Sequence, residues 1–218
     1  MSIPSEIVDV LRKFHGYALC IKGDPGTGKT AFVLTILREL CRDGNGVYVS
    51  TRLEAEKLYS MFPWAREAIP PGGVIDAANS PRMESPNLAD HIIYRTMPEF
   101  LGALYAKVSQ LKDPVVAIDS WDAVVQTAKE SASMSLDGMM IEFASETGSR
   151  ILLVTETRDQ KPLDYMVDGI VELGLVDDRR DVYRYLQIRK LRGSGHDLRK
   201  YVLEITSEGL EVKGFLYE

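Results

Sequence analysis

The chain has 218 residues, of which 45% are hydrophobic, and it carries a formal net charge of -6. This length and composition are typical of one packed α/β domain, or of one such domain with a modest insertion. Because an acidic surface repels nucleic acid on average, any contact with DNA would require a local basic patch.

Cysteine usage and hydropathy indicate where the protein acts. Cys20 and Cys41 lie in apolar or helical patterns without metal-site spacing, so we expect small core residues in a reducing compartment. No apolar run approaches the roughly 20 residues of a membrane span, and residues 1–14 lack a signal-peptide core. We therefore expect a cytoplasmic protein with no membrane partner.

Hydrophobic periodicity predicts alternating strands and helices over the first two thirds of the chain. The predicted strands are residues 17–22, 47–50, 73–77, 114–118 and 150–155, and the predicted helices are residues 31–42, 54–61, 97–111, 121–129 and 136–146. Such alternation is typical of a mostly parallel sheet with helices on both faces. The last third instead shows strands without helices between them, at residues 169–173, 182–189, 201–205 and 210–213. These predict antiparallel strands added to the parallel sheet.

A glycine-rich segment follows the first predicted strand. Residues 23–30 read GDPGTGKT and match the phosphate-loop pattern G-x-x-x-x-G-K-[ST] completely. The pattern predicts that a nucleotide's phosphates bind to Gly23, Asp24, Pro25, Gly26, Thr27, Gly28, Lys29, Thr30 and Ala31. Glycines let backbone N–H groups turn towards phosphate oxygens, and the following helix directs its positive end at the same anion.

Two side chains of this loop have predicted roles of their own. Lys29 adds a full charge on the β- and γ-phosphates of ATP, and we expect it at a solvated position outside the core. Thr30 offers its hydroxyl to Mg²⁺. The apolar strand that ends at Asp119 would deliver a carboxylate to the same metal ion. Ser120 would either assist or cap the next helix.

Four passages of the sequence resemble the RecA superfamily, and within it the KaiC-like and RadA-like ATPases. They are GDPGTGKT at Gly23, VVAIDS at Val115, ILLVTET at Ile151 and IRKLRGSGHDLRKYVLEIT at Ile188. The resemblance covers nearly the whole chain except about residues 62–95. It implies one RecA-like P-loop NTPase domain over residues 1–218, an α/β fold with a mostly parallel central sheet flanked by helices and C-terminal antiparallel strands.

The resemblance also implies roles for particular residues. Thr155 and Glu156 would lie at the end of a core strand beside the γ-phosphate, in a sensing role. Lys190 and Arg192, in the K-x-R-G segment, would reach the ATP of a neighbouring subunit and stabilise charge on its γ-phosphoryl group. Judged by charge alone, the same two residues would be solvated cations on an edge strand, where such charges prevent aggregation.

The sequence departs from this family at the place of the catalytic acids. KaiC-like ATPases carry a glutamate pair just after the second strand, which polarises the attacking water, and here that place falls on Arg52 and Leu53. The nearest carboxylates, Glu54 and Glu56, are predicted to lie in the next helix. A site without a placed base is expected to bind ATP and hydrolyse it slowly. A shift of the alignment by two residues would restore Glu54 as the base, and this alternative stays open.

Three classes of function fit these observations. The first is a KaiC-like ATP-binding switch or slow ATPase that acts with a second copy, a related ATPase subunit or an unknown protein partner. The second is a RadA/RadB-type recombinase paralogue that binds single-stranded DNA or a recombinase. The third is a non-hydrolysing regulator in which ATP orders a partner-binding surface.

Two further segments bear on the choice between these classes. Residues 126–136 and 157–163, where RecA-like proteins carry DNA-binding loops, hold few cations and no aromatic residue, which counts against strong DNA binding. Residues 62–95 are long for a connection and rich in Pro and Gly, so they are either a lid or docking insertion or a plain surface loop.

Overall fold

The computed structural model describes residues 3–41, 44–70, 72–77, 94–128, 135–156, 161–178 and 181–216. Within these ranges the strands form one nine-stranded sheet in the order β3-β2-β4-β5-β1-β6-β7-β8-β9. The part of the chain that the structure describes contains no helix that is long and apolar enough to cross a membrane.

The first five strands are parallel and make up one side of the sheet. They are β1 (Ala18–Lys22), β2 (Gly46–Ser50), β3 (Val74–Asp76), β4 (Val115–Asp119) and β5 (Arg150–Thr155). Every residue of β1, β2 and β5 is buried, and so is every residue of β4 except Asp119. This is expected for strands covered on both faces. Because β5 pairs with both β1 and β4, the carboxyl ends of these strands meet at one edge of the sheet.

The last four strands extend the sheet on the other side of β1. They are β6 (Gly169–Asp178), β7 (Asp181–Leu191), β8 (Tyr201–Thr206) and β9 (Gly209–Phe215). The pairs β6–β7, β7–β8 and β8–β9 are antiparallel, which confirms the predicted mixed sheet. One detail of the prediction is wrong, since β6 runs parallel to β1 and therefore closes the parallel part of the sheet.

Helices cover the sheet on both faces. They are α1 (Ser5–Lys13), α2 (Lys29–Leu40), α3 (Ala55–Met61), the 3-10 helix Pro63–Glu67, α4 (Met97–Val108), α5 (Trp121–Thr127), α6 (Leu136–Thr147) and α7 (Lys161–Met166). Neither α1 nor α7 was predicted from the sequence. For α1 a helical signal was present, because Ile7, Val10 and Leu11 lie on one face and are buried.

Alternate residues of the strands point into two separate hydrophobic cores, as the pleat requires. Leu19 and Ile21 of β1 belong to the core beneath α1, α2 and α3. Ala18 and Cys20 of the same strand belong to the core beneath α4, α5 and α6. The chain is thus a three-layer α/β structure with its sheet in the middle.

The antiparallel strands support the helix that carries the phosphate loop. The backbone N–H of Leu210 donates to Thr35 Oγ1 at 3.3 Å, and Arg38 donates to the carbonyl oxygen of Glu208. Both acceptor and donor side chains belong to α2, so the β8–β9 hairpin is fixed against this helix. The arrangement places the hairpin beside the phosphate loop.

Candidate functional site

The phosphate loop connects β1 to α2 at the carboxyl edge of the parallel strands. Lys29 Nζ donates to the carbonyl oxygens of Gly23 at 2.6 Å and Asp24 at 3.0 Å. Lys29 is 8% exposed, so the expectation of a solvated position is wrong. Burial lowers the pKa of its ammonium group, while Glu156 and Asp119 oppose that shift.

The backbone of the loop requires glycine where α2 begins. Gly28 has φ +99° and precedes the first helical residue, a conformation that residues with a side chain rarely adopt. A Cβ atom on Gly28 would lie 2.8 Å from Ile205 Cδ1. Thr27 closes the loop from inside by donating its hydroxyl to the carbonyl oxygen of Asp24 at 2.8 Å. Asp24, Pro25 and Gly26 form the exposed rim.

The predicted metal-side residues meet through one carboxylate oxygen. Thr30 Oγ1 donates to Asp119 Oδ2 at 2.7 Å. The hydroxyl of the buried Tyr48 donates to the same oxygen, also at 2.7 Å. Tyr48 was not predicted as a site residue. The available signal was a tyrosine inside the apolar strand β2, because a buried tyrosine hydroxyl needs a partner.

This donor set fits Mg²⁺. A hydroxyl and a carboxylate are hard oxygen ligands, and Mg²⁺ is commonly held by one or two carboxylates together with substrate phosphates and water. Among the described residues no three His, Cys, Asp or Glu side chains cluster as a metal site. A metal ion between Thr30 and Asp119 would therefore depend on phosphate oxygens and water for its remaining ligands.

An ion pair lies opposite these residues in the same cleft. Arg52 Nη1 lies 2.6 Å from Glu156 Oε1. Both side chains line a cleft of about 410 Å³ together with Lys29, Thr30 and Asp119. The Glu156 carboxylate holds the pKa of the Arg52 guanidinium above its usual value. The cleft thus brings two cations and two carboxylates together at the carboxyl edge of the sheet.

The other predicted sensing residue and the alternative base lie elsewhere. Thr155 is fully buried and contacts Cys20 Sγ at 3.9 Å, so in the described chain it faces the core. Glu54 is exposed and is the residue before α3 begins, so its predicted place inside that helix is wrong by one residue. The acidic side chains among the described residues that line the cleft are Asp119 and Glu156.

The cleft also has apolar side chains in its lining. They are Pro25, Leu53, Phe62 and Ile205. Ile205 belongs to β8, so a strand far along the chain completes the cleft. Neither Phe62 nor Ile205 was predicted as a site residue, although Ile205 belongs to the passage at residues 188–206 that resembles KaiC-like proteins.

Lys190 and Arg192 contact their own chain around α7. Lys190 Nζ donates to the carbonyl oxygens of Asp164 at 2.8 Å and Val167 at 2.6 Å. Arg192 donates to Asp168 Oδ1 at 3.1 Å and to the carbonyl oxygen of Tyr165 at 3.3 Å. Leu191, which lies between them, pairs with Gly169, the first residue of β6. Gly169 also pairs with Leu19 near the start of β1, whereas the phosphate loop follows the end of β1. The two cations therefore lie away from the phosphate loop of their own chain.

Several predicted segments fall largely outside the described residues. Residues 78–93 of the predicted insertion, residues 129–134 and residues 157–160 belong to this group. The hypotheses of a lid at residues 62–95 and of poor DNA-binding loops at residues 126–136 and 157–163 thus stay predictions.

Comparison with known proteins identifies the family. A model of the P-loop domain of the GvpD gas vesicle protein matches residues 9–192. The chain belongs to this GvpD P-loop family. GvpD2 from Halobacterium salinarum is 32% identical over 199 residues, which cover 87% of this chain and 40% of that protein. A UPF0273 protein from Methanopyrus kandleri is 26% identical over 210 residues, covering 89% of this chain and 83% of that protein.

The fold of this chain is similar to that of a solved structure. The crystal structure of a KaiC-like protein from Pyrococcus horikoshii matches with a TM-score of 0.68 at 22% identity, covering 91% of this chain and 89% of that one. The circadian clock oscillator protein KaiC from Thermostichus vulcanus is 27% identical over 218 residues, which cover 92% of this chain and 39% of that protein. Together with the family match, this confirms the predicted resemblance to KaiC-like members of the RecA superfamily, and a P-loop domain implies nucleotide binding. The chain spans about two fifths of the length of GvpD2.

Proposed function

We propose that this domain is an ATP-binding switch whose Mg²⁺-dependent hydrolysis is slow. The observation that carries the proposal is the place of Arg52, which lines the cleft together with Lys29, Thr30 and Asp119. An arginine occupies the place where KaiC-like ATPases carry a catalytic acid, and it also engages a carboxylate of the cleft.

Binding of the phosphates would use the groups that now contact one another. Lys29 would leave the carbonyl oxygens of Gly23 and Asp24 for the β- and γ-phosphates. Thr30 would turn its hydroxyl from Asp119 to the metal ion. Mg²⁺ bound there would neutralise phosphate charge and align the terminal phosphoryl group.

We expect slow hydrolysis because the described turn after β2 contributes Arg52 and Leu53, and no carboxylate, to the lining of the cleft. Asp119 is committed to the metal side, and the family resemblance gives Glu156 a sensing role and not that of a base. Arg52 cannot accept a proton from water, and Leu53 cannot polarise one. General-base catalysis contributes about 10²- to 10⁴-fold, so we expect turnover well below the roughly 1 s⁻¹ lower end of typical enzymes.

Turnover at saturating Mg²⁺-ATP tests this proposal. Wild type is expected to bind ATP in calorimetry and to hydrolyse it very slowly, and Arg52→Glu, which restores an acid, is expected to raise the rate. Glu54→Gln tests Glu54 as the base, with the neighbouring exposed Glu56→Gln as its control. A brisk wild-type rate that collapses only in Glu54→Gln would show an ordinary ATPase. Binding with no turnover in any variant would favour the non-hydrolysing regulator.

Assembly with a second copy is part of the proposal and rests on the K-x-R-G resemblance. If Lys190 and Arg192 act in trans, each site needs its neighbour, so ATP should favour contacts between identical subunits. Light scattering at high protein concentration, with and without Mg²⁺-ATP, measures this directly. A monomer under both conditions would contradict a role in trans.

A further inference from the structure

The backbone that carries Arg52 is fixed to the metal side of the cleft. The buried Ser50 Oγ accepts from the N–H of Leu53 at 2.9 Å. The N–H of Thr51 donates to the carbonyl oxygen of Asp119 at 2.9 Å, and the N–H of Ser120 donates to Thr51 Oγ1 at 3.0 Å. The turn after β2 is thus joined to the end of β4, and Arg52 starts from a defined position beside Asp119.

The partner of Arg52 is fixed as well. The backbone N–H of Glu156 donates to Asp122 Oδ2 at 2.6 Å, which holds the end of β5 against the start of α5. From there the Glu156 carboxylate reaches Arg52 across the cleft at 2.6 Å. The contact therefore spans the carboxyl ends of β2, β4 and β5, where open α/β sheets bind their ligands.

The charges of the cleft act on one another. The positive charge of Arg52 contributes to the lowered pKa of Lys29, although burial is the larger cause. Asp119 and Asp122 add to the effect of Glu156 in raising the pKa of Arg52. Arg52 therefore belongs to the same electrostatic cluster as the phosphate-binding lysine.

An ordinary surface ion pair is the alternative explanation for this contact. The Arg52 side chain is 60% exposed, and exposed pairs contribute little to stability. A weak pair is easily exchanged, however, and this one lies in the cleft with Lys29, Thr30 and Asp119. Guanidinium groups bind phosphate oxygens through two parallel hydrogen bonds, and a terminal phosphate carries more negative charge than one carboxylate.

We propose that Arg52 exchanges Glu156 for the terminal phosphate of a bound nucleoside triphosphate, so that the site favours triphosphate over diphosphate. This inference rests on the proposed function, because it concerns the same nucleotide site. A diphosphate lacks the group that competes with Glu156, so Arg52 stays paired when ADP is bound. Arg52 thus acts as a nucleotide-binding residue supplied by its own chain, and Glu156 sets the strength of the discrimination.

The test is the ratio of affinities for a non-hydrolysable ATP analogue and for ADP, both with Mg²⁺, measured by fluorescence titration. Arg52→Ala is expected to lower the preference for triphosphate about tenfold, as for loss of a hydrogen bond to a charged group. Arg52→Lys keeps the charge without the planar fork and should retain part of the preference. Glu156→Gln frees Arg52 and should raise the preference about threefold, a size typical of an exposed ion pair.

Two controls separate this inference from general effects. Arg12→Ala removes an exposed arginine of α1 and should leave the ratio unchanged. In the double variant Arg52→Ala/Glu156→Gln the second change should add nothing, because Glu156 acts through Arg52. An unchanged ratio in both Arg52→Ala and Glu156→Gln, with wild-type binding intact, would overturn the inference alone. Absence of nucleotide binding in wild type would overturn the proposed function and the inference with it.

Discussion

The hydroxyl of Tyr48 donates to Asp119 Oδ2 at 2.7 Å, the oxygen that also accepts from Thr30. Tyr48 is 1% exposed, and Asp119 provides its partner. Burial and the neighbouring carboxylate keep the pKa of Tyr48 well above its usual value, so the phenol keeps its proton and remains a donor at physiological pH. Tyr48 thus positions the carboxylate that we assign to the metal ion.

Removing this hydroxyl should weaken metal binding. Tyr48→Phe leaves Asp119 Oδ2 with one donor fewer, and a hydrogen bond to a charged group is worth about 1.5–3 kcal/mol. We predict about tenfold weaker binding of Mn²⁺, as a probe for Mg²⁺, to the ATP complex by electron paramagnetic resonance. ATP affinity in the presence of a chelator should change less.

Tyr59→Phe is the matched control for that variant. The Tyr59 hydroxyl donates to the carbonyl oxygen of Ile69 at 2.8 Å, outside the cleft. Its loss should lower thermal stability and leave metal affinity unchanged. Equal metal affinity in Tyr48→Phe and wild type would refute a positioning role for Tyr48.

Lys29→Ala should remove most of the affinity for ATP. The variant deletes a charge from the phosphate site and leaves the carbonyl oxygens of Gly23 and Asp24 without their donor. We predict a loss of roughly 10- to 100-fold in titration calorimetry. Lys29→Met keeps the buried stem and should lose affinity similarly while preserving stability better. Wild-type affinity in both variants would contradict the assignment of the phosphate loop.

Nucleotide binding should take up protons at alkaline pH. Burial lowers the pKa of Lys29 from 10.5, so the free site begins to lose this charge at a lower pH than an ordinary lysine does. Phosphates favour the charged form, so affinity should fall as pH rises through the lowered pKa. Calorimetry in buffers of different ionisation enthalpy measures the uptake. The same uptake in Lys29→Met would show that another group is responsible.

The contacts of Lys190 and Arg192 should stabilise α7 within one chain. Lys190→Ala removes the donor to the carbonyl oxygens of Asp164 and Val167. We predict a loss of about 1–2 kcal/mol in unfolding free energy from chemical denaturation. Arg189→Ala on the same strand serves as an exposed control. Identical stability of Lys190→Ala and wild type would show that these contacts matter little to the isolated chain.

DNA binding should be weak and strongly dependent on salt. The net charge of -6 and the lack of aromatic residues in residues 126–136 and 157–163 oppose a stacking platform for single strands. Fluorescence anisotropy with a labelled single-stranded oligonucleotide measures this. A sub-micromolar Kd at physiological salt would instead favour the recombinase paralogue.

Local patterns were sufficient to predict the parallel core and the phosphate loop. The alternation of apolar strands with helices depends on short-range periodicity, and GDPGTGKT is contiguous in the sequence. The same patterns gave the direction of β6 incorrectly, because a strand's partner on each side depends on the sheet order. The helix boundaries shifted by a few residues, as at α2, which ends at Leu40.

The contacts between charged side chains in the cleft could not be predicted from local sequence patterns. Arg52 follows β2 and Glu156 follows β5. The two side chains can meet because the sheet order places only β4 between these strands, and no local pattern encodes that order. The burial of Lys29 similarly depends on the packing around the loop. Sequence alone therefore identified the absence of an acid at Arg52, whereas the ion pair that Arg52 forms required the fold.

The central position of β1 also has a consequence for how the chain folds. Cys20 contacts Thr155 across 135 positions of sequence, and the N–H of Ala18 binds Asp168 across 150. Contacts between residues so far apart in sequence form slowly, because closing the intervening loop costs conformational entropy before the contact stabilises the chain. The strand that presents the phosphate loop is therefore enclosed only after β5 and β6 have been synthesised. Nucleotide binding can then serve as a kinetic probe for the enclosure of β1.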